Sequence, residues 1–180
     1  GIEDMVIGTP NAGRRHADLQ QMIGLFVNTL PIRNTPEPGV TFADFLAQVR
    51  ENSLDAFENQ EYPFEELVEQ VVEKRDVSRN PLFDVIFVMQ NMEDPSASTP
   101  PEARGPADNG EEADYEAGFS SKVDITITAN PEDGELFFTF EYCTKLFTSR
   151  TIERFAQYFN RILSAVTQDP EQPIYNINIL

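Results

Sequence analysis

The two side chains most readily used as base and nucleophile near neutral pH, histidine and cysteine, are scarce in this chain. His16 is its one histidine and Cys143 its one cysteine. Nucleophilic catalysis needs a Ser, Cys or Thr within hydrogen-bond reach of a base, most often His. His16 closes the loop-like run Asn11-Ala12-Gly13-Arg14-Arg15-His16, among arginines and with no acidic motif beside it, and reads as an exposed loop histidine. Cys143 follows Glu141-Tyr142, with Lys145 the only basic residue close by, and reads as strand filler rather than as a thiolate. One His and one Cys cannot complete a zinc site of the usual kind. No glycine-rich phosphate loop of standard spacing occurs. Glu111-Glu112, Asp114 and Glu116 lack EF-hand spacing and read as a solvated acidic loop. No complete catalytic constellation is present, and no metal is expected.

Two polar features remain. In Arg75-Asp76-Val77-Ser78-Arg79-Asn80, five of six positions are polar, and Pro81 then opens the apolar run from Leu82 to Met89. A run of that kind predicts a strand buried on both faces, with Pro81 at its first position because proline has no N–H to give a ladder. The polar cluster is thereby expected in a loop at the mouth of a core strand. Asn28 sits inside a second apolar run, Ile23 to Arg33, which also predicts a buried strand. A buried amide must find partners or cost about 1–3 kcal/mol. It either ties two backbones together or lines a cavity, and the sequence leaves both open.

The elements that must position these groups can be read along the chain. Strand character runs from Met5 to Ile7, directly at the start, which leads us to expect that further sequence lies upstream. Leu19 to Met22 suits a short helical turn. Thr41 with Asp44 three residues on predicts an N-cap, and Phe42, Phe45, Leu46, Val49, Ala56 and Phe57 extend a helix over 41–58. Pro63 suits the first turn of a second helix ending near Lys74, with Phe64, Leu67, Val68, Val71 and Val72 as its apolar face. Residues 93–121, rich in Pro, Gly, Ala, Ser and acidic residues, predict a long mobile excursion. Alternation in Val123–Thr128 and Leu136–Tyr142 around Pro131-Glu132-Asp133-Gly134 predicts a hairpin. Ser149 or Thr151 is expected to cap a last helix that Pro170 ends, and Ile174 to Leu180 alternates like an edge strand. The sum is an α+β fold, a mixed β-sheet with helices packed on it.

Composition narrows the function classes. The 180 residues carry a net charge of -18, which opposes phosphate backbones and anionic membrane surfaces alike. No stretch approaches the ~20 consecutive apolar residues of a membrane helix. A single cysteine excludes an internal disulfide framework and suits a cytoplasmic location. Small molecules and proteins remain as partners.

Several segments resemble the condensation domains of nonribosomal peptide synthetases. Ile23-Gly24-Leu25-Phe26-Val27-Asn28-Thr29-Leu30 with Arg33 resembles their IGxFVNT…R motif, and Arg75 to Leu82 resembles RDxSRNPL without a mismatch. Asn59 to Glu65 resembles QDxPFE, with Glu61 in place of the usual Asp, and Ile7 to Pro10 with Ala12-Gly13-Arg14 resembles IGTPxAGR. Lys122-Val123-Asp124 and Glu141 to Phe147 also fit, although Lys145 stands where Asp is common.

The resemblance implies the C-terminal lobe of a chloramphenicol-acetyltransferase-like fold, spanning 1–180, with residues 93–121 as a crossover segment toward an N-terminal lobe. It implies amide-bond formation between carrier-bound aminoacyl or peptidyl thioesters, with phosphopantetheine arms as substrates and no cofactor bound directly. The implied partners are the N-terminal lobe, donor and acceptor peptidyl carrier domains and an adjacent adenylation domain. The family's HHxxxDG motif is not in this chain, so the lobe is expected to be inactive alone. Asn28, Gln60, Ser78, Arg79 and Asn80 are the positions expected near the substrate tunnel or lobe seam, and Arg75 with Asp76 as an ion-paired lock of their loop. An epimerisation or cyclisation domain of the same fold, or a non-catalytic module that recruits partner enzymes, are the competing readings.

Overall fold

The computed structural model describes residues 4–14, 16–19, 22–24, 26–72, 79–90 and 123–179. Five strands, β1 (Met5–Asn11), β2 (Asn28–Asn34), β3 (Val85–Met89), β4 (Ile125–Glu132) and β5 (Glu135–Tyr142), form one sheet in the order β2-β1-β3-β4-β5. The outer pairs β1–β2 and β4–β5 are antiparallel, whereas β3 runs parallel to both β1 and β4, so the sheet is mixed as expected. Helices α1 (Phe42–Glu58), α2 (Phe64–Val71) and α3 (Ser149–Gln168) pack on it.

Strand alternation sorts the side chains between two faces. Leu30, Ile32 and Asn34 of β2 share one face and are buried there. Asn52 of α1 donates to Asn34 Oδ1 at 3.0 Å and to the Arg33 carbonyl at 3.2 Å, which seats α1 over β2 and gives the buried Asn34 side-chain oxygen its donor. Phe138 and Phe140 of β5 meet Phe159 of α3 edge-on, with centroids 4.9 and 6.0 Å away. Register puts Ile7, Ile32, Ile127 and Phe140 on the same face, so α1 and α3 cover one side of the sheet. Their ends are joined by backbone bonds: Phe42 N–H donates to the Gln172 carbonyl and Ala43 N–H to that of Pro170.

Gly8 points to the opposite face, where Phe83 lies against it. A methyl on Gly8 would stand 2.6 Å from Phe83 Cε2, so only glycine admits that ring. Phe83 also packs on Phe64 of α2 at 6.0 Å. Hence α1 and α2, joined by a short elbow, embrace the β2 edge from the two sides. Burying Phe83 and Val68 there is worth about 1.5–3 kcal/mol each.

The capped helix at 41–58 and the hairpin form as read. Thr41 Oγ1 accepts from Asp44 N–H at 3.1 Å, and the hairpin turns at Asp133-Gly134, both with positive φ. Four expectations need correction. The apolar run after Pro81 yields a strand only from Val85, half-buried rather than buried on both faces. Asn80 Oδ1 accepts from Leu82 N–H at 3.0 Å and Phe83 N–H at 3.2 Å, which folds 80–83, Pro81 included, into a turn before any ladder begins. The run from Ile23 becomes a strand only at Asn28: Arg14 takes the Gly24 carbonyl within it and the Met22 carbonyl just before it, and Ile23 is fully exposed. Residues 174–176 form a 3-10 turn rather than an edge strand, anchored by Ile174 N–H on the Val40 carbonyl. Finally, Thr148 is the N-cap residue of α3, sharing a 3.0 Å hydrogen bond with Thr151. The 93–121 segment lies outside the described residues.

Arg33, at the far end of β2, grips Asp4 through Nε at 2.9 Å and Nη2 at 2.7 Å. The hydrogen bond from Arg33 holds the Asp4 carboxyl below its ordinary value, against a smaller opposing effect of desolvation. A carboxyl depressed in the folded state adds stability above the ordinary carboxylate range and loses it as the pH falls through its lowered value. Both side chains are half exposed or more, so the contribution is small. Asp4→Asn is expected to flatten the acid limb of the stability–pH curve and leave stability near pH 7 slightly lower. An acid limb identical to wild type in denaturant titrations would show that the pair does not hold the strand ends.

Candidate functional site

The β1–β2 ladder ends at the pair Asn11–Asn28, and the α1–α2 elbow arrives at that end of the sheet. Asn28 Nδ2 donates to the Gln60 carbonyl at 3.0 Å, while its Oδ1 accepts from Thr29 N–H at 2.9 Å. Asn11 donates through its side-chain amide to Gln60 Oε1, and Gln60 Nε2 donates in turn to the Phe57 carbonyl at 2.6 Å. Three amide side chains thus bind the elbow to the last rung of the ladder. Helix α1 stops here because Asn59 turns out of helical geometry and folds its side chain back on the Asp55 carbonyl.

The described residues of the loop between β1 and β2, among them Gly13, Leu19 and Phe26, form the facing wall. Gly13 adopts φ of +66°, and a methyl there would lie 2.0 Å from the Phe26 carbonyl oxygen, so the loop closes only over a glycine. Arg14 Nη1 donates to the carbonyls of Leu19 and Met22, and Nη2 to that of Gly24. Its guanidinium lies 4.5 Å from the Phe26 ring centre. Between loop and elbow opens a cleft of about 500 Å³, lined among others by Gly13, His16, Leu19, Phe26, Asn28 and Gln60. Asn28 therefore does both things the sequence left open: it ties two backbones together and lines a cavity.

His16 stands at the rim with 74% of its side chain exposed, and Nδ1 is 3.3 Å from Asp18 Oδ2. That pair is in water and is not oriented by a buried partner, unlike the base of a nucleophilic dyad. A cleft of similar size, about 530 Å³, runs along the start of α3 between Arg150 and Arg154, and among the described residues its lining comes from α3 and its N-cap Thr148. Among the described residues no group of three His, Cys, Asp or Glu could hold a metal ion.

Of the residues singled out in the sequence, Asn28 and Gln60 meet, although 32 positions separate them. Arg79 and Asn80 line a different, smaller cleft of about 270 Å³ with Val72 and Pro81. Arg79 pairs with Asp84 at 2.9 Å, both half exposed, and Asn80 is consumed by its turn. Ser78, Arg75 and Asp76 lie outside the described residues. Asn11, Arg14 and Phe26 were not singled out as site residues. The signal available for them was a glycine directly before an arginine, ahead of an apolar run whose carbonyls needed donors.

A family model described as "Condensation domain" matches residues 1–180. The chain is 44% identical over 179 residues to tyrocidine synthase 3 of Brevibacillus parabrevis, covering 99% of this chain and 3% of that protein. The chain thus spans a small fraction of this curated relative's length. Among solved structures, it superposes on holo-AB3403, a four-domain nonribosomal peptide synthetase bound to AMP and glycine, with a TM-score of 0.83 and 28% identity over 98% of this chain and 14% of that one. It also superposes on the X-domain from teicoplanin biosynthesis with a TM-score of 0.75 and 27% identity, over 99% of this chain and 40% of that one.

Replacing Asn28 by Ala would leave the Gln60 carbonyl and the Thr29 N–H without their partner. The expected loss is about 1–2 kcal/mol in chemical unfolding. Asn28→Asp is expected to lose at least as much, since a carboxylate cannot donate to the Gln60 carbonyl. Unfolding midpoints within error of wild type for both variants would show that the elbow is held by other contacts.

Proposed function

The chain belongs to the condensation-domain family and has its chloramphenicol-acetyltransferase-like fold, and from that premise we propose that it acts as the C-terminal lobe of an amide-forming condensation domain in a nonribosomal peptide synthetase. In this reading an acceptor aminoacyl amine attacks the carbonyl of a donor thioester. The new C–N bond forms as the C–S bond breaks, the amine loses a proton and the donor carrier's thiol leaves. The substrates arrive on phosphopantetheine arms of two carrier domains. An N-terminal lobe bearing HHxxxDG supplies the base, and an adenylation domain in the same synthetase loads the acceptor. A cytoplasmic setting belongs to the same proposal.

The observation that carries this reading is the meeting of Asn28 and Gln60, from two separate family-like motifs, at one cleft. Their polar ends are engaged with the protein, which suits them to fix a wall against which a long flexible substrate arm is held. Ser78, Arg79 and Asn80 join this proposal as substrate-tunnel or lobe-seam positions, with Arg75 and Asp76 as the lock of their loop. The chain's single histidine is exposed, so the proposal assigns no base to this lobe. A second reading, a non-catalytic module that recruits a partner protein, draws support from the likeness to the teicoplanin X-domain, whose structure in complex with OxyB matches this chain at 26% identity.

The test compares the chain alone with the chain co-expressed beside an HHxxxDG-bearing lobe, each given loaded donor and acceptor carrier proteins. Amide product from the combined sample only is expected. Product from the chain alone would contradict the proposal and make His16 the candidate base. A stable two-lobe complex that forms no product would favour the recruitment reading.

A further inference from the structure

We propose that Arg14 is a positioning residue, which shapes the substrate cleft by holding the loop between β1 and β2 against the amides of Asn28 and Gln60. This inference rests on the reading of that cleft as a substrate route. Its starting point is that three apolar residues described in the loop are exposed. Met22 is 51% exposed, Ile23 is 103% exposed and Val27 is 60% exposed. What ties the described part of the loop together is Arg14. Its fork donates to three carbonyls, those of Leu19, Met22 and Gly24, and its planar face covers the Phe26 ring.

The same loop carries the cleft-lining residues Leu19 and Phe26, each one an Arg14 partner. On the other side, Asn11 accepts from Gly13 N–H through Oδ1 and donates to Gln60, so the two walls join at the residues just before Arg14. Losing Arg14 therefore frees one wall while the amide-bonded wall and the sheet stay in place. The effect falls on binding of the arm that passes the cleft, and the bond-making step is left nearly intact. A lysine cannot substitute, because one ammonium neither spans three carbonyls nor lies flat on a ring.

The experiment uses the co-expressed two-lobe assembly, with Arg14→Ala, Arg14→Lys and, as a surface control, Arg150→Ala. Donor and acceptor carriers are titrated separately. Both Arg14 variants are expected to raise the KM for one of the two carriers roughly tenfold, with kcat changed less than about twofold, while Arg150→Ala matches wild type. Unchanged KM values, an equal rise for both carriers, wild-type behaviour of Arg14→Lys, or loss of kcat with a lowered unfolding midpoint would each overturn the assignment. If the wild-type assembly forms no amide, the functional reading has failed, and Arg14 is judged on the chain itself by amide hydrogen exchange. Arg14→Ala is then expected to speed exchange in the β1–β2 loop while β4–β5 amides stay protected, and unchanged loop exchange would overturn its role.

Discussion

The attachment of Gln60 to the end of the β1–β2 ladder is the constraint on which the rest of this structure depends. Its carbonyl takes the Asn28 amide, its side-chain oxygen takes the Asn11 amide, and its own amide nitrogen reaches the Phe57 carbonyl. Together these fix where α1 ends and α2 begins. With the elbow fixed, α1 lies over Leu30, Ile32 and Asn34, and α2 descends the other side to put Phe64 against Phe83, the ring that covers Gly8. The cleft is the space left between this elbow and the loop that Arg14 holds. Fold and site are thus one set of hydrogen bonds seen from two sides.

Polar side chains rather than apolar ones make the decisive links here, and the physical reason is geometric. The buried apolar residues, such as Leu30, Val68, Phe83 and Ile152, supply the larger share of free energy, yet they are non-directional. Amides and a guanidinium specify distances and angles, and each becomes costly if its partner is lost. A surface that has to guide an extended, flexible substrate gains from walls set by such bonds. Under the proposed function the chain contributes shape, and its only histidine sits in water at the cleft rim.

What the sequence disclosed, and what it hid, follows from whether the deciding interaction is local. Thr41 and Asp44 lie one helical turn apart, and the hairpin strands pair across a two-residue turn, so both were legible. The end of α3 near Pro170 was legible for the same reason, since a proline stops a helix locally. The apolar runs from Ile23 and Leu82 misled because apolar content without a period does not reveal where a ladder starts. In one case Arg14 takes the carbonyls from several residues away, and in the other Asn80 folds the chain before Val85. Asn28 and Gln60 were legible as family-like motifs, but their contact was not, because no periodicity links positions on a strand and an elbow. Asn11 reads as the start of a loop, whereas β1 runs on to it, and nothing in the sequence marks its partner.

The most direct test of this account is a double-mutant cycle between Asn11→Ala and Gln60→Ala, read as unfolding free energy. Side chains in direct hydrogen-bond contact are expected to couple by about 1 kcal/mol, with the double variant losing less than the sum of the singles. Additive losses, with no coupling beyond error, would contradict the claim that this amide pair binds the elbow to the ladder and builds the cleft.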